Sequence, residues 1–215
     1  MTQSPVYKLY WCRHTAAQAP EILLEEAGLT YKKITIDIEK GENWLPDYLA
    51  VNPTGYVPTL ATPEGTIVTE SGAILLYLCE RHGLELAPTP EDPLRGTFLQ
   101  FLFFFCTTIP VATKRYYFAN RLVRDPVDIP WMREQSVKEQ DRFWRIVDDH
   151  LREGGPFMLG DRFSVLDIQL AMLVPWHPDW AELMRDLPAV KRCFEAATAR
   201  PAVRRVMIEQ GYLEG

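Results

Sequence analysis

The sequence predicts an α/β domain followed by an all-α domain. Short β-prone segments alternate with helical periodicities in the first part of the chain, whereas only helical periodicities occur in the rest. Between them, residues 86–93 hold three prolines in eight positions, which is typical of a connection between domains. We therefore predict a first domain at residues 1–86, a linker at 87–93 and an all-helical domain at 94–215.

The first domain is predicted to begin with a strand, a helix and a second strand. Residues 6–11 are β-prone, residues 16–27 place apolar side chains on one helical face, and residues 31–38 alternate isoleucine with polar residues. Gly28 is suited to end the helix, because glycine adopts the left-handed conformation found there. A β-α-β unit of this length predicts parallel strands joined by a right-handed crossover.

The remainder of the first domain is predicted to contain a hairpin and a helix. A short helical patch at residues 44–50 precedes two strands, at 59–61 and 66–69, which a Pro-Glu-Gly turn separates. Residues 71–82 then show helical periodicity, and a glycine follows them.

The all-α domain is predicted from long helical periodicities. They cover residues 94–120, 131–153, 164–176 and 188–199. Pro110 is expected to kink or interrupt the first of these helices, because proline lacks the N–H group that a helix requires. Ser164 and Asp167 have the spacing of an N-terminal capping box.

Composition excludes several classes of function. The chain is 47% apolar and 24% charged, which is typical of globular proteins, and its net charge of -6 argues against a nucleic-acid or anionic-membrane partner. No apolar run of membrane-spanning length and no secretory signal is recognised, and the four cysteines are widely spread. We therefore expect a cytoplasmic protein with reduced thiols and without a metal site.

The most informative motif is the Val57-Pro58 entry to a strand, followed by Glu70-Ser71 at the start of a helix. A cis bond before Pro58 would turn the Val57 N–H and C=O groups outward, where they can pair with a peptide-like ligand. The helix that begins at Ser71 offers free N–H groups and a positive dipole end to a carboxylate. The alternative is a purely structural cis-proline, with Ser71 or Thr69 capping the helix.

This motif resembles the glutathione site of the cytosolic glutathione transferase family. The predicted element order is similar to the thioredoxin-like N-terminal domain of that family, and the Ser164–Asp167 capping box is similar to a landmark of its helical second domain. The resemblance extends over residues 6–210. It implies the glutathione transferase fold and an enzyme of bacterial style, with a Ser/Thr-type rather than a Cys-type N-terminal site.

The resemblance also implies candidates for activation of the glutathione thiol. Thr15 occupies the serine-type position, where its hydroxyl would donate to the sulfur, and Tyr10 occupies the tyrosine-type position. Ala16 stands where some bacterial members carry cysteine. Cys12 is a further candidate, and simple capping of the first helix is the alternative role for Thr15.

The glutathione-binding residues are implied in the same way. The backbone of Val57, next to the turn at Pro58, would pair with the cysteinyl unit. Ser71 would receive the γ-glutamyl carboxylate at the helix start, and Glu70 would accept from the α-ammonium group.

At the glycine end of glutathione this chain differs from related members. Tyr56 stands where those members often carry Lys, Gln or Arg, so Asn43 and Lys40 are the available substitutes.

The implied reaction is attack of the glutathione thiolate on a small hydrophobic electrophile, a detoxification chemistry in which glutathione is the co-substrate and no metal takes part. A homodimer is expected, without a nucleic-acid or membrane partner. Aromatic side chains of residues 98–118 are expected to contribute in part to an acceptor pocket. Disulfide or peroxide reduction, isomerisation, ether cleavage and a non-catalytic binding or scaffold role remain alternatives.

Overall fold

The computed structural model describes residues 6–215; the expectation about a secretory signal concerns residues 1–5 in part, and these lie outside the described residues. The chain divides into two compact units. The second unit is Pro88–Arg200, and the first comprises the chain up to Ala87 together with Pro201–Gly215. The division after Ala87 falls in the predicted linker. The segment Pro201–Gly215, however, groups with the first unit and not with the helical domain to which the sequence assigned it.

The first unit is built on a four-stranded sheet in the order β2-β1-β3-β4. Strand β1 runs parallel to β2 and antiparallel to β3, and β3 runs antiparallel to β4. The strands are β1 Tyr7–Trp11, β2 Tyr31–Thr35, β3 Thr59–Ala61 and β4 Ile67–Thr69. The helices of this unit are α1 Gln18–Glu26, α2 Pro46–Leu49 and α3 Ser71–His82, together with the last helix of the chain, α11 Pro201–Glu209. A 3₁₀ turn covers Glu42–Trp44.

The core of the first unit follows from the periodicity of its elements. In β1 the side chain of Leu9 is buried and that of Lys8 is exposed, as the period of two in a strand requires. Helix α1 packs against α3 and α11, and α3 packs against β3 and β4. Each buried leucine or isoleucine contributes about 1.5–3 kcal/mol of hydrophobic stabilisation. The fully buried apolar side chains of the unit include Leu9, Ile22, Leu23, Leu60, Ile74, Leu75 and Leu78.

The second unit is helical. Its helices are α4 Arg95–Phe103, α5 Ile109–Tyr117, α6 Ala119–Leu122, α7 Ile129–Arg152, α8 Val165–Leu173, α9 Trp180–Asp186 and α10 Pro188–Thr198. Short 3₁₀ turns cover Pro126–Asp128 and Val174–Trp176. Helices α6, α9 and α11 were not separate elements of the sequence prediction.

The aromatic helix that leads to Pro110 continues through a wider turn. Residues Phe104–Thr108 form a π-helical turn between α4 and α5, directly before Ile109 and Pro110. A π turn changes the hydrogen-bonding partners locally, and we attribute it to the N–H group that Pro110 lacks. Phe98 and Phe105 are fully buried in the second unit, whereas Phe103 and Tyr117 are exposed. Three of the eight aromatic side chains in this run, those of Phe98, Phe101 and Phe105, thus belong to the core.

The expectation that no apolar run reaches membrane-spanning length is wrong. The segment Arg95–Tyr117 has 23 residues, and the mean hydropathy of its most apolar window is 1.5. By length and composition alone, this segment could therefore cross a membrane. A core helix of a globular unit meets the same requirement. In this structure α4 packs against α8, and α5 packs against α7.

The predicted capping box is present at the start of α8. The Ser164 hydroxyl accepts from the Leu166 N–H (3.2 Å), while the Asp167 carboxylate accepts from the Ser164 N–H (2.7 Å). Its other oxygen accepts from the Met158 N–H at 2.8 Å, so that Asp167 also holds the preceding loop. Asp167 is fully buried, and this burial raises the pKa of its carboxyl to about 6.

Candidate functional site

The register of the sheet brings the predicted ligand-binding segments to one edge. Tyr10 pairs with Thr59, and Thr59 pairs with Thr69, in both cases in antiparallel strands. The segment that leaves β1, the segment that enters β3 and the segment that leaves β4 therefore meet at the same end of the sheet. These are the segments 12–17, 57–58 and 70–71.

The loop after β2 leaves from this edge as well. Trp11 pairs with Thr35 in parallel strands, and the Trp11 C=O accepts from the Ile36 N–H at 2.8 Å. The following residues include Lys40 and Asn43. All of the predicted site segments thus lie at one end of the sheet in the first unit.

Residues 12–17 form the turn that leads into α1, here called the first loop. The Thr15 hydroxyl donates to the Cys12 C=O at 2.6 Å and accepts from the Ala17 N–H at 3.3 Å. The Thr15 C=O accepts from the Gln18 N–H at 3.2 Å. Helix α1 consequently begins at Gln18 and not at Ala16. The hydroxyl proton of Thr15 is engaged within the loop.

The segment that enters β3 is held by a buried hydrogen-bond network. The peptide bond between Val57 and Pro58 is cis. The preceding Tyr56 C=O accepts from the Tyr48 hydroxyl (2.6 Å) and from the Asn52 amide (2.8 Å). Within the described residues 6–215, the backbone N–H and C=O of Val57 make no hydrogen bond of their own. This peptide unit is fixed in position and open to a ligand.

Sequence reasoning missed the side chains that fix this segment. Tyr48 and Asn52 also contact the Thr59 hydroxyl, at 2.9 and 3.0 Å, and all three residues are buried. Burial raises the pKa of the Tyr48 hydroxyl, so that it stays protonated as a donor. The Asn-Pro turn signal at Asn52 was the available indication, but a turn signal does not reveal the distant partner of a side chain.

The junction of β4 and α3 has an unusual backbone conformation. Glu70 is the N-cap residue of α3, with φ of 67° and ψ of 121°, and its side chain makes no capping hydrogen bond. A positive φ is uncommon outside glycine and costs on the order of 1–3 kcal/mol, and such strain concentrates at functional sites. The exposed Glu70 carboxylate and the first turn of α3 both lie at the site edge of the sheet.

Two predicted binding residues differ in their placement. Asn43 is only 4% exposed, and its amide donates to the Gly55 C=O at 3.0 Å. It is therefore placed to support the loop and not to contact a ligand. Lys40 is exposed and forms an ion pair with Asp37 at 2.6 Å.

Tyr10 and the cysteines occupy distinct environments. Tyr10 is partly buried in β1, where its ring lies 5.5 Å from that of Tyr48, and Cys12 is partly buried in the first loop. Burial raises the pKa of the Cys79 thiol to about 12, and burial beside Asp167 raises the pKa of the Cys193 thiol. Cys79 and Cys193 are thus held as neutral thiols. Among the described residues, no group of His, Cys, Asp and Glu is arranged to hold a metal ion.

We expect Gly55→Ala to lower the free energy of unfolding by about 2 kcal/mol, as measured by urea unfolding. Gly55 has φ of 68°, and a Cβ atom there would lie 2.5 Å from the Trp44 ring. Gly65→Ala is the matched control, since Gly65 also has a positive φ of 91° but no heavy atom within 4 Å of the added carbon. Equal losses in the two variants would show that contact with Trp44 adds nothing.

Comparison with known proteins agrees with this fold. Residues 5–80 match the family model described as "Glutathione S-transferase, N-terminal domain". The disulfide-bond oxidoreductase YfcG of Escherichia coli strain K12 is 31% identical over 198 residues, which are 87% of this chain and 88% of that protein. The chain belongs to the glutathione S-transferase family.

Two further relatives show how completely the fold is shared. The glutathione S-transferase GstB of Escherichia coli strain K12 is 30% identical over 214 residues, covering 92% of this chain and 96% of that protein. A glutathione transferase homologue from Sulfitobacter, solved with bound glutathione, superimposes with a TM-score of 0.86 at 28% identity, over 97% of this chain and 100% of that one. The predicted glutathione transferase fold is confirmed.

Proposed function

We propose that the protein is an enzyme that binds glutathione at this edge of the sheet and joins it to a hydrophobic electrophile: the thiolate sulfur forms a bond to the electrophilic carbon, and the leaving group of that carbon, such as the halide of a haloarene, departs. The observation that carries the proposal is the convergence of the first loop, the open backbone of Val57 and the start of α3 at one end of the sheet. The Sulfitobacter relative with bound glutathione supports the choice of ligand. Glutathione is the co-substrate, and the reaction requires no metal.

The ligand is proposed to lie as an extended peptide along Val57. Its cysteinyl unit pairs with the Val57 N–H and C=O, beside the cis bond to Pro58. Its γ-glutamyl carboxylate lies at the start of α3, at Ser71, where backbone N–H groups and the helix dipole favour an anion. Glu70 accepts from the α-ammonium group, and Lys40 is the candidate for the glycine carboxylate.

Thr15 is the proposed donor to the glutathione sulfur. A thiol of pKa about 8.5 requires about 2.7 kcal/mol of differential stabilisation for a decrease of about two pKa units. The Thr15 hydroxyl would exchange its bond to the Cys12 C=O, worth about 1 kcal/mol, for one to an anion, worth about 1.5–3 kcal/mol. The start of α1 adds on the order of 0.3–1 kcal/mol. Tyr10 is the second candidate for this role.

We expect Thr15→Ala to raise the pKa of the bound thiol by about one unit and to lower kcat/KM about tenfold at neutral pH. The loss of one charge-assisted hydrogen bond is the physical reason. The thiolate absorbance of bound glutathione, followed against pH, measures the shift. Thr15→Ser keeps the hydroxyl and is the matched control, and Tyr10→Phe tests the second candidate. An unchanged thiol pKa in Thr15→Ala would assign activation to another group.

Disulfide reduction is the second candidate function. It is favoured by the name of the 31% identical relative, a disulfide-bond oxidoreductase, and by the position of Cys12 in the first loop. Parallel assays with a haloarene, a mixed disulfide of glutathione and a hydroperoxide separate conjugation from reduction. Absence of glutathione binding by calorimetry would contradict both functions and favour a scaffold role.

We further propose that the protein is a cytoplasmic homodimer with a role in detoxification. The first unit exposes large apolar side chains next to the site segments, among them Trp44, Leu45 and Tyr56. Such a patch is suited to a contact with a second copy. Sedimentation equilibrium measures the assembly state, and a monomer at micromolar concentration would contradict it.

A further inference from the structure

The C-terminal segment of the protein holds the first loop in place. The side-chain Oε1 of Gln210 accepts from the backbone N–H of His14 at 2.9 Å. The backbone carbonyl oxygen of the same residue accepts from Nε2 of His14 at 2.8 Å. The His14 ring also lies 5.3 Å from the ring of Tyr212. The bonds to Gln210 connect positions that are 196 residues apart in the sequence.

These contacts hold His14 in a conformation that it does not prefer. Its φ is 56°, in the left-handed region, which residues other than glycine rarely adopt. Gln210 is 1% exposed, so that its bond to the His14 N–H is shielded from competing water. A second contact anchors the other end of the loop, where the Gln18 amide lies 2.8 Å from Sδ of Met207.

We propose that Gln210 is a positioning residue for the thiol site: it fixes the backbone at His14 and thereby the direction of the Thr15 hydroxyl and the start of α1. Thr15 follows His14 directly, so a rotation of the backbone at His14 redirects the hydroxyl. This inference rests on the proposed function, because the thiol of glutathione is the group that the loop serves. It makes the activity depend on a segment that contributes no atom to the ligand-binding edge described above.

The hydrogen-bonding pattern of Gln210 allows two substitutions that differ in whether the acceptor for the His14 N–H is kept. Its Oε1 is engaged, whereas its Nε2 has no hydrogen-bond partner within the described part of the protein. Gln210→Met removes the acceptor at nearly constant length, and Gln210→Glu keeps it. The guanidinium of Arg13 lies next to Gly211 and provides a positive charge close to the introduced carboxylate.

The decisive measurement is the pKa of the thiol of bound glutathione, from thiolate absorbance against pH. We expect Gln210→Met to raise this pKa by about one unit, which is about tenfold less thiolate below the pKa, with glutathione affinity changed less than about threefold. Gln210→Glu should return the thiolate fraction to within about threefold of the wild type. Hydrogen exchange of the His14 amide should accelerate about tenfold or more in the Met variant and not in the Glu variant.

The outcomes separate this inference from the proposed function. If the wild type binds glutathione but the Met variant leaves the thiol pKa unchanged, or if Met and Glu shift it equally, the positioning role is overturned. If the wild type does not bind glutathione, the proposed function fails and the positioning role fails with it. Should Gln210→Met not fold, Gln210→Asn replaces it. The shorter side chain withdraws the amide oxygen from the His14 N–H, and an unchanged thiol pKa there would likewise overturn the inference.

Discussion

Asp167→Ala is expected to lower the free energy of unfolding by about 3 kcal/mol at pH 5. The substitution removes the acceptor of the Ser164 and Met158 N–H groups, both of which are buried. A buried donor without a partner costs about 1–3 kcal/mol, and the loss of an N-terminal cap adds to this cost. Urea unfolding at constant pH measures the effect.

An exposed carboxylate provides the control for this variant. Asp186→Ala removes a side chain that is 60% exposed and paired with the equally accessible Arg185, so we expect a change within about 0.5 kcal/mol. A comparable loss in both variants would show that the capping box has no special role.

The effect of Asp167 should also depend on pH in a defined direction. The pKa of the Asp167 carboxyl is about 6 in the folded protein and 3.8 for an aspartate in water, so the folded state binds this proton more tightly than the unfolded state. The stability that Asp167 contributes is therefore fully present below pH 3.8 and is lost as the pH rises through 6. The difference in unfolding free energy between the wild type and Asp167→Asn should fall over this range and be constant above about pH 7. A rising difference would contradict the raised pKa.

Lys33→Met is expected to cost about 3 kcal/mol at pH 7, because it leaves the Glu21 carboxylate buried without its positive partner. Glu21 is 1% exposed and forms an ion pair with Lys33, while the Trp11 indole N–H donates to it at 2.7 Å. Lys33 also pairs with Glu209 of α11 at 2.6 Å and lies over the Trp11 ring. Burial raises the pKa of the Glu21 carboxyl, so the loss should be smaller in mild acid, where Glu21 takes up a proton.

A double variant distinguishes two causes of this loss of stability: the unpaired charge of Glu21 and the lost packing of the lysine stem. Glu21→Gln combined with Lys33→Met keeps an acceptor for the Trp11 indole and removes the uncompensated charge, so we expect it to recover most of the lost stability. Lys138→Met is the surface control, since its partner Glu134 is 61% exposed, and a change within about 0.5 kcal/mol is expected. Failure of the double variant to recover would assign the loss to packing around the lysine stem.

Local patterns predicted the elements between Tyr7 and His82 well, because these elements are encoded by near neighbours. The β-α-β start follows from apolar spacing, and the hairpin follows from its Pro-Glu-Gly turn. The capping box at Ser164 and Asp167 depends on two residues three positions apart, and it is present as predicted. The proline effect was also local, although its form, a π-helical turn at Phe104–Thr108, depends on packing around the helix.

The common location of the candidate site segments could be predicted for a different physical reason. Val57, Pro58, Glu70 and Ser71 come to one edge because strand register follows from the alternation of buried and exposed side chains. Asn43 is buried and supports the loop. Its burial was not predicted, because the exposure of an amide side chain cannot be read from a loop sequence.

The sequence by itself determined the four strands, most of the helices, the family and the segments that meet at the candidate site, since these depend on periodicity and on turn residues close together in the sequence. Only the tertiary structure decided that 201–215 packs with the first unit and that the Thr15 hydroxyl is turned toward Cys12. It alone decided that Gln210 holds His14. A hydrogen bond between residues that are far apart in the sequence depends on distance and angle in the folded state, and no local pattern contains either.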